Sequence, residues 1–325
     1  GWCSCSKGRL FFRSGDGHRG AFFRIALGWL GNTTVLRLKR IDFDQQDAWR
    51  RRTSKSHYEG VTVERGIMAD FVEVWCIDSG QTSLKALKIQ RSGSGAEILQ
   101  AEKIEHPGGS SMEATLAALS ELAARHELGD ALVVALPSRS ALTSFIPIPP
   151  VDGKKLAELI GYEAQQNIPL PIDEVIWGSH VSGDTDDGEK EVGIFAVRSE
   201  EVSDILIDFS QDGHEIDVLT LGNVGLLNLI RFDLRPTRPV VALEIGSDHT
   251  DLIVVNGPRF WFRSLPIAGK DFTAALEERF GCTQEEAENL KVTAARSEHA
   301  AKIFQVLQPL LRDLVSEINR SIGYY

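Results

Sequence analysis

The sequence predicts an α/β fold made of two lobes with the same internal design. A short hairpin motif occurs twice, with its acidic residue at Asp78 in the first copy and at Glu244 in the second, 166 positions later. Each copy opens a run of three predicted strands, and the first run is followed by an amphipathic helix and a buried strand. A repeated order of elements around a repeated motif indicates two related lobes.

Residues 68–238 form the first predicted lobe. Alternating apolar residues predict its three strands at 71–79, 83–90 and 96–104. Apolar residues at helical spacing predict a helix over 111–126, and an apolar run predicts a buried strand at 131–137.

A block at about 151–215 interrupts this lobe and is interpreted as an inserted subdomain. Its first helix carries apolar residues at helical spacing, namely Leu156, Leu159, Ile160 and Ala164. Two strands around a polar turn at 183–188 follow, and then a helix with Ser199 as its predicted N-cap. The second lobe, 239–325, repeats the three strands at 239–247, 250–256 and 260–267.

Each copy of the motif combines residue types that bind phosphate. An apolar strand ends near a carboxylate, and Gly80 or Gly246 follows two residues later. We expect these glycines to accept φ > 0, so that successive backbone N–H groups point to one side of the turn. Hydroxyl groups come next, at Thr82, Ser83 and Thr250. Carboxylates at strand ends also suit Mg²⁺, which prefers oxygen ligands.

Two phosphate hairpins on related lobes resemble the actin-like ATPase superfamily. Within it the chain resembles the PilM family of type IV pilus assembly proteins, relatives of the cell-division protein FtsA. This narrower resemblance covers roughly residues 70–325 and rests on LPSRSALTSFIPIP (136–149), IGYEAQQNIPLPIDEV (160–175), FGCTQEEAENLK (280–291) and LLRDLVSEINRSIGYY (310–325).

The resemblance implies a two-lobed actin-like ATPase (ribonuclease H-like) fold with an inserted subdomain of the FtsA and PilM type. In the superfamily a Gly-rich adenosine loop follows a helix like the one that ends at Tyr325. Either the second lobe is C-terminally truncated, which we expect, or part of the base pocket has been lost.

The resemblance also implies the cofactors ATP and Mg²⁺ and a set of contacts to them. The residues matching nucleotide-binding positions are Asp78, Gly80, Gln81, Thr82, Ser83, Gly246, Ser247, Asp248, Thr250, Glu288 and Lys291, and those matching metal positions are Asp78 and Glu244.

Several positions have a second interpretation or depart from the family pattern. Glu244 stands where Asp is usual, and His249 stands where a small polar residue is common, so weak or absent ATP hydrolysis is expected. Glu288 and Lys291, three residues apart on one helix, could instead be a solvated ion pair. His249 is interpreted as a turn residue rather than a general base, and Lys85 as a surface charge.

The function implied is a cytoplasmic ATP-binding scaffold of the type IV pilus platform, peripheral at the inner membrane. The expected partners are the N-terminal cytoplasmic segment of a PilN-like membrane protein and the pilus platform and motor proteins, and membrane association is expected only through them. Ile146, Ile148 and Ile168 could line a peptide groove, although a place in the core is the preferred interpretation.

A sugar or acid kinase of the same superfamily is the alternative. A kinase needs a base in its cleft, and Asp251 and Asp217 are the candidates. We interpret Asp251 as facing outward from a strand and Asp217 as closing a helix turn, which favours the scaffold. A role in FtsA-like cell division and a role in a secretion-system platform are two further alternatives.

Charge divides the chain of 325 residues into two parts. Residues 1–67 hold 13 Lys and Arg against 6 Asp and Glu, whereas the remainder holds 22 against 40. The acidic part argues against nucleic acid as a partner, because phosphate backbones attract clustered basic residues. Residues 1–67 precede the first methionine, Met68, and are expected to be upstream sequence read through in frame or, alternatively, a basic arm at an anionic membrane.

Overall fold

The computed structural model describes residues 73–92, 95–105, 112–129, 131–185, 187–211 and 213–324, together with four strands nearer the start of the chain. These strands are β1 (Ser4–Cys5), β2 (Arg9–Phe11), β3 (Phe22–Leu30) and β4 (Thr33–Ile41). The expectation that 1–67 are read-through sequence or a basic arm falls largely outside the described residues and stays a prediction. The chain divides into two compact units, Gly1–Arg235 and Pro236–Tyr325.

The first unit contains the expected three strands, helix and buried strand. They are β5 (Glu73–Ser79), β6 (Ser83–Ser92), β7 (Gly95–Glu105), α1 (Met112–Arg125) and β8 (Leu132–Leu136). The three strands β5, β6 and β7 pair antiparallel, and β8 pairs parallel to β5. On its other side β8 pairs parallel to β12 (Val218–Leu221), and the sheet order is β1-β2-β3-β4-β12-β8-β5-β6-β7.

Burial explains why the apolar run at β8 forms a central strand. Leu132, Val134 and Leu136 are buried, because β8 lies between two parallel neighbours in the middle of the sheet. Leu119 and Leu122 of α1 are also fully buried, and their spacing places them on one helix face. The α/β character predicted for this lobe is therefore confirmed.

A smaller antiparallel sheet forms the inserted block. Its elements are β9 (Ala141–Ile148), α2 (Lys154–Asn167), β10 (Val175–Asp184), β11 (Lys190–Arg198) and α3 (Ser199–Gln211), and its strand order is β10-β11-β9. Helix α2 contributes Ile160 and Ala164 to a core that also contains Ile148 and Ile194. Strand β9 lies before the predicted bound at residue 151 and pairs with β11 in this sheet.

The start of α3 differs from the prediction. The helix begins at Ser199 itself, and the Ser199 hydroxyl is buried without a hydrogen-bond partner among the described residues, so it does not cap the helix. A backbone contact satisfies the first N–H instead, because the Ser199 N–H donates to the Glu174 carbonyl at 2.9 Å. Within the helix the Ser203 hydroxyl donates to the Ser199 carbonyl at 2.6 Å.

The first unit ends with α4 (Gly222–Leu229), which continues into a π-helical turn at Ile230–Leu234. The turn ends at Arg235, which adopts φ of 43°. A non-glycine residue in the left-handed region is uncommon, and it stops the helix at this point.

The second unit repeats the three-strand start and adds three helices. Its elements are β13 (Val240–Ile245), β14 (Thr250–Asn256), β15 (Arg259–Leu265), α5 (Gly269–Phe280), α6 (Gln284–Thr293) and α7 (Ala300–Tyr324). The helices pack on Leu252 and Leu265 of the sheet through a core that includes Leu276, Ile303 and Leu307. None of the described helices combines the length and apolar content needed to cross a membrane.

Local signals fix the turn between α5 and α6. Gly281 has φ of 61° directly after α5, a conformation that glycine adopts without steric cost. The hydroxyl of Thr283 accepts from the Glu286 N–H, and the Glu286 carboxylate accepts from the Thr283 N–H at 2.9 Å. The Thr283 N–H and hydroxyl both donate to the Glu286 carboxylate and lower the pKa of Glu286. Together with the Glu286 N–H bond they form a capping box at the start of α6.

We predict that Gly193→Ala destabilises the inserted block by about 1–3 kcal/mol, as expected for overpacking in a core. A Cβ at Gly193 would lie 2.7 Å from the Phe195 ring and 3.1 Å from the Phe145 ring. Urea unfolding measures the change. Gly161→Ala on α2 is the matched control, since nothing lies within 4 Å of its Cβ and alanine favours a helix by roughly 0.5–1 kcal/mol. Equal stability of the two variants would contradict this prediction.

Candidate phosphate-binding site

The first turn joins β5 to β6 and is closed by a backbone hydrogen bond. The Gly80 N–H donates to the Ser83 carbonyl at 3.0 Å. This turn sets the register in which Asp78 lies opposite Lys85, and the Lys85 Nζ is 3.3 Å from the Asp78 Oδ2. The Lys85 and Asp78 side chains are 55% and 43% exposed, respectively, so both charges are accessible to a ligand.

The second turn has the same backbone geometry. The Gly246 N–H donates to the His249 carbonyl at 3.0 Å, and Glu244 lies opposite Asp251 in the register that follows. The repeat predicted from the two sequence motifs is therefore a repeat of local structure.

The reason for glycine at Gly80 and Gly246 differs from the expected one. Neither residue is among the described residues with positive φ, so the expectation of left-handed backbone was wrong. A Cβ at Gly80 would instead lie 3.0 Å from the Ser83 carbonyl oxygen, and one at Gly246 would lie 3.0 Å from that of His249. Close approach of the backbone to itself, rather than φ, requires glycine here.

The other predicted residues of the first turn differ in accessibility. Thr82 is exposed, whereas Ser83 is buried at the start of β6. The Gln81 Oε1 accepts from the Arg139 Nη2 at 3.3 Å. The first turn therefore offers the Thr82 hydroxyl, the Asp78 carboxylate and the Lys85 ammonium to a ligand.

The second turn is anchored to the beginning of α5. The Gly269 N–H donates to the Gly246 carbonyl at 2.9 Å, and the Lys270 N–H donates to the Ser247 carbonyl at 2.8 Å. The Lys270 ammonium also pairs with the Asp248 carboxylate. A Cβ at Gly269 would lie 3.1 Å from the Gly246 carbonyl oxygen, so this contact depends on a small residue.

Glu288 and Lys291 join the same assembly from α6. The Lys291 ammonium donates to the Gly269 carbonyl at 3.0 Å and to the Thr273 hydroxyl at 2.8 Å, and it pairs with Glu288 at 2.6 Å. Burial alone would raise the pKa of Glu288, but hydrogen bonds from Lys291 and Thr273 and the Lys291 charge outweigh it and lower that pKa. The pair is thus more than a solvated ion pair, because it fastens α6 to the N-terminal turn of α5.

The Thr250 side chain is buried and makes an internal hydrogen bond. It is fully buried, and its hydroxyl donates to the Ile267 carbonyl at 2.7 Å. This hydroxyl is engaged inside the second unit and is not offered to a ligand.

The contacts of two further acidic residues, Asp251 and Asp217, differ from those predicted from the sequence. Asp251 does not face outward, since it is only 2% exposed and its carboxylate accepts from the Ser264 hydroxyl. Asp217 does not close a helix turn, because its Oδ2 accepts from the backbone N–H of Leu132 at 2.8 Å, next to β8. Both carboxylates have structural partners.

The carboxylates suit a metal that is held mainly by phosphate and water. No cluster of three or more His, Cys, Asp or Glu side chains suited to a metal occurs among the described residues. Asp78 stands at the first turn and Glu244 at the second, where Asp248 and Asp251 are nearby acidic residues. Mg²⁺ is often bound by one or two carboxylates together with substrate phosphates, so these residues fit it.

Sequence reasoning missed Lys85 and Lys270 as members of the site. Lys85 could have been found, because a tight turn centred after Gly80 places residue 85 opposite residue 78 in an antiparallel pair. Lys270 could not, since its contact with Asp248 joins residues 22 positions apart through the packing of α5 on the turn.

Three comparisons relate the chain to other proteins. A family model described as type IV pilus assembly protein PilM matches residues 76–325. A solved structure described as the PilM-PilN type IV pilus biogenesis complex is similar with a TM-score of 0.65 and 26% identity, over 78% of this chain and 77% of that one. No curated protein matches the sequence.

More distant structures are similar at 13% identity. Ethanolamine utilization protein EutJ from Carboxydothermus hydrogenoformans has a TM-score of 0.45 over 78% of this chain and 72% of its own. MreB 5 of Spiroplasma citri bound to AMPPNP has a TM-score of 0.43 over 77% and 79%, respectively.

The family model begins within β5 and spans both turns, the inserted block and the whole second unit. The fold is the mixed α/β, two-lobed actin-like ATPase fold that the sequence resemblance implied. The chain belongs to the family of type IV pilus assembly protein PilM.

Proposed function

We propose that this chain is an ATP-binding scaffold of the type IV pilus platform. The main support for this proposal is the repeated turn, because each unit contains the same hydrogen bond from a glycine N–H to a carbonyl. The chain is also a member of the PilM family. We further propose that the chain acts in the cytoplasm and reaches the inner membrane only through its partners.

In the first turn, Asp78 and Lys85 have complementary roles. The Asp78 carboxylate would hold Mg²⁺ directly or through water, and the Lys85 ammonium would balance phosphate charge. Thr82 would donate a hydrogen bond from its exposed hydroxyl. When bound, Mg²⁺ would supply positive charge that offsets the charges of the phosphates and of the Asp78 carboxylate.

In the second turn, the residues Gly246, Ser247 and Asp248 would lie along the phosphates, with Lys270 as the nearest permanent cation. Glu244 would be the metal-binding carboxylate of this turn. Glu288 and Lys291 would lie on the nucleoside side, where the half-exposed Glu288 carboxylate suits a ribose hydroxyl.

The kinase alternative is less well supported by the contacts. A kinase base must reach a substrate hydroxyl, whereas the Asp251 carboxylate is buried and the Asp217 carboxylate accepts from Leu132. A scaffold needs only different affinities for ATP in two conformations, because ligand binding then shifts their populations without hydrolysis.

A PilN-like membrane protein is the proposed partner. The similar solved structure is described as a complex of PilM with PilN, and we propose that the N-terminal cytoplasmic segment of a PilN-like protein binds this chain. Other platform and motor proteins would assemble around that contact. Ile148 and Ile168, considered above as groove residues, are in the core of the inserted block.

An exposed apolar patch at the end of the first unit is the proposed contact surface for this segment. The patch consists of Leu229, Phe232 and Leu234, which are 57%, 49% and 62% exposed. It lies on the end of α4 and its π-helical turn, and such turns are frequent at functional sites. Exposed apolar groups this close together mark interaction sites more often than scattered ones do.

We predict that Mg²⁺-ATP stabilises the protein and that Asp78→Ala removes the effect. At a nucleotide concentration of about 100 times Kd the gain is roughly 2.7 kcal/mol, which raises Tm by about 4 °C for a chain of this length. Thermal unfolding with and without Mg²⁺ measures the shift, and phosphate release measures hydrolysis in the same samples.

Asp152→Ala is the matched control for Asp78→Ala. Asp152 pairs with Lys190 at 3.3 Å, the same separation as between Asp78 and Lys85, but it lies outside the turns. This variant should keep the full nucleotide shift. A shift that survives Asp78→Ala, or that is absent from the unaltered protein, would reject nucleotide binding at the first turn.

We predict that Phe232→Ser weakens binding of a synthetic N-terminal PilN-like peptide at least tenfold, as expected when an aromatic interface residue is lost. Isothermal titration calorimetry gives Kd directly. Tyr162→Ser on α2 is the control, since Tyr162 is also exposed, at 59%, but lies in a different element. Unchanged binding by Phe232→Ser, with a normal Mg²⁺-ATP shift, would place the partner surface elsewhere.

A further inference from the structure

A turn of three residues joins the central sheet of the first unit to the inserted block. The turn, Ser138–Ser140, follows β8 and precedes β9. It is closed by a hydrogen bond from the Ser140 N–H to the Pro137 carbonyl at 2.9 Å. Strand β8 pairs with β5 and β12 in the central sheet, whereas β9 pairs with β11 in the sheet of the inserted block. We call these three residues the junction turn, because they connect the two sheets.

Two side chains of the junction turn contact the first turn and the inserted block. The Arg139 Nη2 donates to the Oε1 of Gln81, which lies in the first turn, at 3.3 Å. The Ser140 hydroxyl donates to the Glu201 carboxylate on α3. Arg139 is exposed, so water competes for its contact with Gln81. A ligand at the first turn can therefore change this contact at small cost.

The third side chain, Ser138, caps α4 from outside the helix. Its hydroxyl accepts from the Asn223 N–H at 2.8 Å, and both residues are buried. Asn223 is the second residue of α4, where a backbone N–H has no partner within the helix. Leu221, which precedes the helix, has no side-chain oxygen that could accept from this N–H. The beginning of α4 is therefore held by the junction turn.

Helix α4 connects this buried contact to the apolar patch. It continues at Ile230, which has helical backbone angles, into the π-helical turn that ends at Leu234. The patch residues lie at the far end of this helical segment. Rigid secondary elements carry a displacement from one end to the other. A change at Asn223 is therefore expected to reach the patch.

A polyphosphate at the first turn would order the exposed end of this connection. Phosphate oxygens attract the guanidinium of arginine and form directional hydrogen bonds with it. Arg139 would then have fewer conformations, and the junction turn and the beginning of α4 would be ordered with it. A partner that binds an already ordered segment loses less conformational entropy, so it binds more tightly.

We propose that Arg139 and Ser138 are positioning residues that couple the first turn to the apolar patch, so that bound nucleotide orders α4 and strengthens partner binding. This inference rests on the proposed function and adds the residues through which ATP would regulate the partner contact. Ser140 holds the junction turn to the inserted block and lies outside this connection.

The first experiment measures amide hydrogen exchange across residues 222–234, with and without saturating Mg²⁺-ATP. The proteins are the unaltered chain, Arg139→Ala, Ser138→Ala and Ser140→Ala. Ser140→Ala is the matched control, because it removes the same hydroxyl group from the same turn, but on the side of the inserted block. The rates with and without nucleotide are compared within each protein, which removes differences in basal stability. Thermal unfolding with Mg²⁺-ATP tests nucleotide binding by each variant.

We expect nucleotide to slow exchange about fivefold or more in the unaltered protein and in Ser140→Ala, and less than about twofold in Arg139→Ala and Ser138→Ala. Equal slowing in all four proteins would overturn the inference while leaving ATP binding intact. A thermal shift without slower exchange in the unaltered protein would also overturn it. Absence of both the shift and the slowing would reject nucleotide binding, and with it the proposed function.

A second experiment uses only substitutions of the exposed Arg139, so it does not depend on a buried variant folding. Calorimetry gives the Kd of the synthetic N-terminal PilN-like peptide with and without saturating Mg²⁺-ATP. We expect nucleotide to tighten peptide binding about fivefold or more in the unaltered protein and to leave it unchanged in Arg139→Ala. Arg139→Lys keeps a charged donor for Gln81 and should recover part of the effect. Equal tightening in Arg139→Ala, or peptide binding by the unaltered protein that does not respond to nucleotide, would overturn the inference.

Discussion

The hydrogen bond from a glycine N–H to the carbonyl three residues later is the constraint on which the rest of the site depends. It occurs at Gly80 and again at Gly246, and in each case a Cβ would lie 3.0 Å from the accepting carbonyl. The bond closes the turn and thereby fixes the strand register. That register decides which side chain faces Asp78 and which faces Glu244, so backbone geometry sets the charge of each turn.

Charge then distinguishes the two units. The first turn presents an accessible pair of opposite charges, whereas the second has facing carboxylates and relies on α5 and α6 for its lysines. Gly269 holds α5 to that turn through the Gly246 carbonyl, and Lys291 ties α6 to the Gly269 carbonyl. A movement of α5 would therefore alter the second turn directly, as the proposed response to nucleotide requires.

The inserted block adds a separately packed core to the first unit, and the apolar patch adds a proposed surface for partner binding. The block buries its own core between α2 and a three-stranded sheet, so it is a stable unit of structure rather than a loop. The patch at Leu229, Phe232 and Leu234 lies where α4 ends in a π-helical turn. Family membership rests on the whole span from 76 to 325, whereas partner recognition would depend on a few exposed side chains of this kind.

The sequence by itself determined the α/β class, the repeated hairpins and the family, because strand periodicity, glycine spacing and apolar runs are local properties. It also placed Asp78 and Glu244 correctly at the two turns. Only the tertiary structure decided that Thr250 is buried against Ile267, that Asp251 points inward to Ser264, and that Lys291 contacts Gly269. These contacts join residues 13 to 22 positions apart through helix and sheet packing, which no local pattern encodes.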